Sequence, residues 1–221
     1  MVEAVFIGTF VPMILMLGLL RHSRAVISCF CWGMVSFLVV HLVSSPLYAV
    51  LGITGGLEQT AVFVGPPLEE LIKPIPVFLM AMFAKRSFVP FFYILGLASG
   101  IGFAVEENLI YLIKFDSGVG EDSRALMVIR SFSTCLMHGV ATGLTGYALT
   151  MAQRRRMPGR ILLPLLGLIL ASFYHAAFNW MMLNGHLAVA VLVAFACFIA
   201  FLLVMKEKET KAPEAKGTAW E

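Results

Sequence analysis

The chain has 221 residues, of which 60% are apolar and 13% are charged, and its formal net charge is +3. Soluble domains contain about one-quarter charged residues, so this composition excludes an ordinary soluble domain and predicts an integral membrane protein. The small positive charge lies in short loops, which indicates membrane topology and argues against nucleic acid as a partner.

Seven apolar runs are long enough to cross a bilayer, which predicts an all-α, polytopic transmembrane bundle of about seven helices. In chain order these runs cover about 3–20, 25–51, 62–84, 89–113, 125–152, 160–183 and 187–205. Residues 1–205 are therefore predicted to form a single transmembrane domain. The charged segment 206–221 is predicted to be a disordered cytoplasmic tail.

The positions of the basic residues predict how the helices are oriented. Basic residues follow the first, third, fifth and seventh runs, at Arg21, Arg24, Lys85, Arg86, Arg154, Arg155, Arg156, Arg160, Lys206, Lys208 and Lys211. The loops between them carry acidic or uncharged polar residues. The positive-inside rule therefore predicts an N-terminus outside and a C-terminus in the cytoplasm.

Acidic residues interrupt two of the apolar runs. Glu69 and Glu70 follow Pro66 and Pro67 in the third run, and Glu106 and Glu107 lie in the fourth. A carboxylate in hydrocarbon is costly unless it is neutralised, paired or hydrated, and such residues usually mark functional sites. The simpler explanations are a helix N-terminal charge pair for the first two residues and an interhelical salt bridge for Glu107.

Other polar residues fall at similar predicted depths. His138 lies near the middle of the fifth run, and His175 and Asn179 share one face of the sixth because they are four residues apart. With the predicted orientation and a rise of about 1.5 Å per residue, these positions and the glutamates converge on the outer half of the bilayer. The simpler explanation for these three residues is hydrogen bonding between helices.

Carboxylates and imidazoles in a pocket of low dielectric constant suggest the activation of water. A Glu can act as a general base, and a His and an Asn on one helix face can donate hydrogen bonds to a developing oxyanion. The same residue types could instead hold zinc. The usual HExxH signature of zinc proteases is absent from the sequence.

The spacing of these residues resembles the PrsW family of intramembrane proteases, which is similar to the wider group of CAAX-prenyl endopeptidase and bacteriocin-immunity-type membrane proteins. The resemblance covers about residues 65–180, which form the motif core. It rests on Glu69-Glu70-x-x-Lys73, Phe103-x-x-x-Glu107-Asn108, His138 and His175-x-x-x-Asn179, in the family's order. The wider group has His at the position of Glu107, so this residue favours the PrsW branch.

The resemblance implies a helical bundle with an active site inside the membrane, which hydrolyses a peptide bond of a membrane protein. Some family members cleave a membrane-bound anti-sigma factor on its extracytoplasmic side, which fits the predicted depth of the site. The expected partners are the lipid bilayer and a single-span membrane protein. The expected location is a bacterial or archaeal cell membrane.

The predicted site residues fall into three groups. The catalytic group contains Glu69, Glu70, Glu107, His138, His175 and Asn179. If a metal is present, zinc is the expected ion, and its ligands come from Glu70, Glu107, His138 and His175. The supporting residues are Lys73, Phe103, Glu106 and Asn108.

Within the catalytic group, Glu69 or Glu70 is predicted to be the general base. Glu107 and His138 are predicted to share the water or bind the metal. His175 and Asn179 are predicted to stabilise the oxyanion.

Three other functions are compatible with the polar residues. A cation- or proton-coupled transporter would use the carboxylates to bind its ion, but internal repeats typical of such proteins are not visible in the sequence. A non-enzymatic scaffold or immunity-type protein would tolerate substitution of the glutamates. A haem-binding bundle could use His138 and His175 as axial ligands, but it would leave the glutamates unexplained.

Overall fold

The computed structural model describes residues 10, 13, 14, 18, 23–56, 58–83, 92–115, 121–153 and 155–210. Within these ranges the chain is helical and has no strand. The helices are α1 (Arg24–Val50), a π-helical segment (Gln59–Val64), α2 (Gly65–Ile72), α3 (Ile75–Phe83), α4 (Phe92–Phe115), α5 (Glu121–Gln153), α6 (Gly159–Leu183) and α7 (Leu187–Thr210). The prediction of an all-α protein is thus confirmed for the described ranges.

Part of the prediction lies outside the described residues. This applies to nearly all of the first run (3–20), to residues 211–221 of the tail, and to the basic residues Arg21, Lys85, Arg86, Arg154 and Lys211. Of the described helices, four are long and apolar enough to cross a membrane: α1, residues 92–111 of α4, α6, and residues 187–207 of α7.

Helix α4 lies at the centre of the bundle. Within its most apolar window 78% of the residues are buried, against 28% for α1 and α6 and 22% for α7. Its position depends on close contacts between helix backbones. A Cβ atom on Gly100 would overlap the carbonyl oxygen of His138 on α5, and one on Gly33 of α1 would overlap the carbonyl oxygen of Ser99. Glycine at these positions lets α1 and α5 approach α4 from two sides.

The third apolar run does not form one continuous helix, and the prediction of a single helix over 62–84 is wrong. It is divided into the π-helical segment, α2 and α3. Pro66 and Pro67 lie in the first turn of α2, where they are tolerated because the first helical positions need no N–H donor. Pro74 and Pro76 lie at the break between α2 and α3, where their missing N–H groups interrupt the helical hydrogen bonds.

At the break, two backbone carbonyl groups accept hydrogen bonds from side chains of other helices. The carbonyl of Ile72, whose helical partner would be Pro76, accepts a hydrogen bond from Nε1 of Trp32 on α1 at 3.2 Å. The carbonyl of Lys73 accepts one from Oγ of Ser99 on α4 at 2.7 Å. These bonds anchor the end of α2 to its neighbours, and they fix the residues of its last turn relative to α4.

Candidate active site

One buried polar cluster contains residues from α2, α4, α5 and α6. Its members are Glu69, Glu70, Lys73, Glu107, His138, Thr142, His175 and Asn179. The structure thus brings together the six residues predicted to be catalytic. It also places Lys73 at the centre of the cluster and adds Thr142, which is not among the residues predicted from the sequence.

Glu70 is the most enclosed carboxylate of the cluster, and its side chain is fully buried. Its Oε1 atom lies 2.8 Å from Nζ of Lys73 and 3.1 Å from Nδ1 of His175. Its Oε2 atom accepts a hydrogen bond from Oγ1 of Thr142 at 3.0 Å. Because protein donors engage both oxygens, Glu70 connects α2, α5 and α6 as a buried anion.

Glu69 has a different environment although it is the neighbouring residue. Its side chain is 17% exposed, and its Oε2 atom lies 3.1 Å from Nζ of Lys73. The same atom is 3.8 Å from Nε2 of His175, which is too long for a hydrogen bond. Of the two adjacent glutamates, Glu69 is therefore the one whose side chain is partly exposed.

Two contacts fix the tautomer of His138. Its Nδ1 atom lies 2.7 Å from Nζ of Lys73, and its Nε2 atom lies 2.8 Å from Oε2 of Glu107. A lysine ammonium can only donate, so Nδ1 accepts and Nε2 carries the proton that is donated to Glu107. Phe103 packs against the imidazole, with 5.1 Å between the ring centroids. Glu107, with a side chain 19% exposed, is the second carboxylate at the edge of the cluster.

Asn179 fixes the tautomer of His175 in the same way. Its Nδ2 atom donates to the carbonyl of Ala61 at 2.9 Å and to Nε2 of His175 at 3.2 Å. The Ala61 carbonyl is available because Pro66, five residues later, has no N–H to close the π-helical bond. Nε2 of His175 therefore accepts a hydrogen bond, and Nδ1 donates to Glu70. Both amide hydrogens of Asn179 thus have acceptors, the Ala61 carbonyl and Nε2 of His175. The oxyanion-stabilising role of Asn179 stays a prediction.

The remaining supporting residues lie at the periphery. Nδ2 of Asn108 donates to the carbonyl of Ser131 at 3.1 Å and lies 3.6 Å from Sγ of Cys135, so it ties α4 to α5. Glu106 is partly buried on α4 next to Glu107. Thr142 could have been found from its spacing, because it follows His138 by four residues and therefore shares a helix face with it.

A comparison with protein families identifies the chain. A family model described as PrsW family intramembrane metalloprotease matches residues 21–205. The chain belongs to the PrsW family. No curated protein and no solved structure matches the chain significantly. The family confirms the resemblance drawn from the motifs, and with the four apolar helices it identifies an integral membrane protein of a protease family.

The family description implies a metal, and the cluster of this PrsW protein contains suitable ligands. Glu69, His138 and His175 each offer a ligand atom, and these atoms lie within 4.8 Å of one another. Two His and one Glu form a known ligand set of catalytic zinc. The residues therefore fit a metal ion. This set contains Glu69 in place of the predicted ligands Glu70 and Glu107. Glu70 is less available because three protein donors already bind it.

A groove of about 450 Å³ lies elsewhere, between α3, α5 and α6. It is lined by Phe78, Ala81, Met82, Leu149, Ala152, Gln153, Met157, Arg160, Ile161, Pro164, Leu165 and Leu168. None of these residues belongs to the polar cluster of this PrsW protein, so the chemistry is assigned to the cluster and not to the groove.

Proposed function

We propose that the protein is an intramembrane protease that hydrolyses a peptide bond of a membrane protein, with Glu69 as the general base that activates water. The observation that carries this assignment is the contrast between the two adjacent glutamates. Glu69 is 17% exposed and contacts Lys73, whereas Glu70 is fully buried and accepts bonds from three side chains. A general base must reach the water that it deprotonates, and this favours Glu69.

The buried residues have a supporting role in this proposal. Glu70 holds Lys73 and His175 in place, and Thr142 holds Glu70. His138 connects Lys73 to Glu107, so the two partly exposed carboxylates belong to one hydrogen-bonded network. A network with fixed donors and acceptors keeps the reacting groups in position without reorganisation during the reaction.

If a metal binds, Glu69, His138 and His175 would hold it. Such an ion would polarise the scissile carbonyl and lower the pKa of a bound water. Glu107 then remains as a carboxylate beside the site, 2.8 Å from Nε2 of His138, where it can exchange a proton with that imidazole.

The proposed position of the cut follows from the predicted topology, and the proposed substrate follows from the family resemblance. The basic loops favour a site in the outer half of the bilayer, which would place the cleaved bond near the extracytoplasmic side. A single-span membrane protein, such as an anti-sigma-factor-like protein, is the proposed substrate. The proposed setting is a bacterial or archaeal cell membrane.

The test is cleavage of membrane substrates in liposomes. The purified protein is reconstituted with a panel of tagged single-span proteins, and new N-termini are identified by mass spectrometry. We expect cleavage by the parent and by the Glu58→Gln control, which alters an exposed glutamate outside the cluster. We expect none above background with Glu69→Gln. Full cleavage by folded Glu69→Gln would refute Glu69 as the base, and proton or cation flux without any cleavage would support the transporter alternative.

A further inference from the structure

Lys73 lies at the centre of the polar cluster, and its side chain is fully buried. Its Nζ atom is 3.1 Å from Oε2 of Glu69, 2.8 Å from Oε1 of Glu70 and 2.7 Å from Nδ1 of His138. The same atom lies 3.9 Å from the centroid of the Phe103 ring. An ammonium has three N–H donors, and each has an acceptor here. The cluster is therefore a complete binding site for one cation.

Two of the three acceptors are also candidate metal ligands. Glu69 and His138, together with His175, form the group whose ligand atoms lie within 4.8 Å of one another. The Oε2 atom of Glu69 and the Nδ1 lone pair of His138 now accept hydrogen bonds from Lys73. A metal bound through Nδ1 of His138 would take the lone pair that now accepts from Lys73. A metal bound to Glu69 would place a second positive charge next to the ammonium, and the two charges would repel each other.

We propose that Lys73 is the resident cation of the cluster, and that its ammonium and a divalent metal ion bind there in competition. Metal loading then requires the ammonium to leave Glu69 and His138. Glu70 keeps Thr142 and His175 as hydrogen-bond donors when the ammonium leaves. The inference rests on the proposed site, but its test measures metal binding and not cleavage.

The test compares metal affinity in lysine variants of the full-length, detergent-purified protein. Co²⁺ is titrated and followed by its visible absorbance, and zinc content after dialysis is measured by mass spectrometry. Lys73→Met removes the charge and the donors but keeps the length of the side chain, whereas Lys73→Arg keeps the charge. We expect Lys73→Met to bind Co²⁺ about 10- to 100-fold more tightly than the parent, the scale on which groups around a metal site alter its affinity. We expect no gain in Lys73→Arg.

A second substitution checks that the new binding uses the proposed ligands. Adding His175→Ala to Lys73→Met should abolish the gain, whereas adding His41→Ala, an exposed histidine on α1, should keep it. An affinity in folded Lys73→Met equal to or below that of the parent would overturn the proposal. A gain that persists without His175 would overturn it as well.

A measurement on the parent protein applies even if Lys73→Met does not fold. Saturating zinc should expose Lys73 to reductive methylation, detected by mass spectrometry, with the exposed Lys206 as the reference. Zinc binding that leaves Lys73 protected from methylation would refute the competition. Failure of both the parent and a folded Lys73→Gln variant to bind metal would refute it as well. Because none of these readouts uses a substrate, failure of the protease proposal would not change their outcome.

Discussion

Replacing the two adjacent glutamates by glutamine, one at a time, should affect different properties of the protein. Glu70→Gln keeps the shape of a fully buried side chain but removes the negative charge between Lys73 and His175. Glu69→Gln removes a charge that is 17% exposed and that contacts Lys73. We therefore expect Glu70→Gln to reduce the free energy of unfolding, and Glu69→Gln to reduce mainly the rate of cleavage.

The magnitudes follow from burial and from the number of partners. Removing one member of a buried ion pair costs about 3–5 kcal/mol, and Glu70→Gln should lie near the lower end because Lys73 keeps Glu69 as a partner. Glu69→Gln should cost about 1 kcal/mol, well below the value for a fully buried pair, because the Glu69 side chain is partly exposed and Lys73 keeps the better-buried Glu70. For a chain of this size about 1 kcal/mol corresponds to about 2–4 °C in Tm, so the two variants should differ by about 4–8 °C.

The expected loss of catalytic activity is larger for Glu69→Gln than for Glu70→Gln. Removal of a general base lowers kcat by about 10²- to 10⁴-fold, and we expect this loss in Glu69→Gln with little change in Tm. The assay combines thermal unfolding in detergent with cleavage of a reporter identified in the liposome panel. Glu58→Gln serves as the control for loss of an exposed carboxylate. Equal stability of the two variants, with more residual cleavage in Glu69→Gln than in Glu70→Gln, would refute the assignment.

Three further substitutions test the packing and hydrogen bonds around the site. Thr142→Val removes the hydroxyl that donates to Glu70 and should cost about 1.5–3 kcal/mol in thermal unfolding, whereas Thr142→Ser should keep most of the stability. Gly100→Ala places a methyl group against the His138 carbonyl and should cost about 1–3 kcal/mol and lower kcat, while Gly56→Ala, which meets open space, should do neither. Asn179→Ala leaves the Ala61 carbonyl without its side-chain donor and should speed hydrogen exchange in residues 59–64, with no such change in Asn184→Ala. Unchanged exchange in Asn179→Ala would contradict the role given to the amide.

The membrane character and the helices could be predicted from sequence because they depend on local composition. Apolar runs of sufficient length define the segments, and the helices α1 and α4 to α6 agree with the predicted bounds within a few residues. Helix α7 begins where predicted but continues to Thr210, into the segment predicted to be a disordered tail. The exception is the third run, where Pro74 and Pro76 divide the helix. Hydropathy alone does not show such a break, although proline chemistry does.

The membership of the polar cluster could also be predicted in part, because spacing on one helix decides which residues share a face. His175 and Asn179 are an example, and their side chains are in contact in the structure. The sequence could not separate Glu69 from Glu70. Adjacent residues on a helix point about 100° apart, and which of them is enclosed depends on the neighbouring helices.

The sequence by itself determined that the protein is a helical membrane protein of the PrsW family, because composition, run length and motif spacing are properties of the chain alone. The tertiary structure decided which contacts the residues of the cluster make. Thr142 reaches Glu70 across 72 positions of the chain, and His138 reaches Lys73 across 65. Such contacts exist only once α2, α4, α5 and α6 are packed, because packing sets which lone pair each donor meets and which carboxylate stays partly exposed.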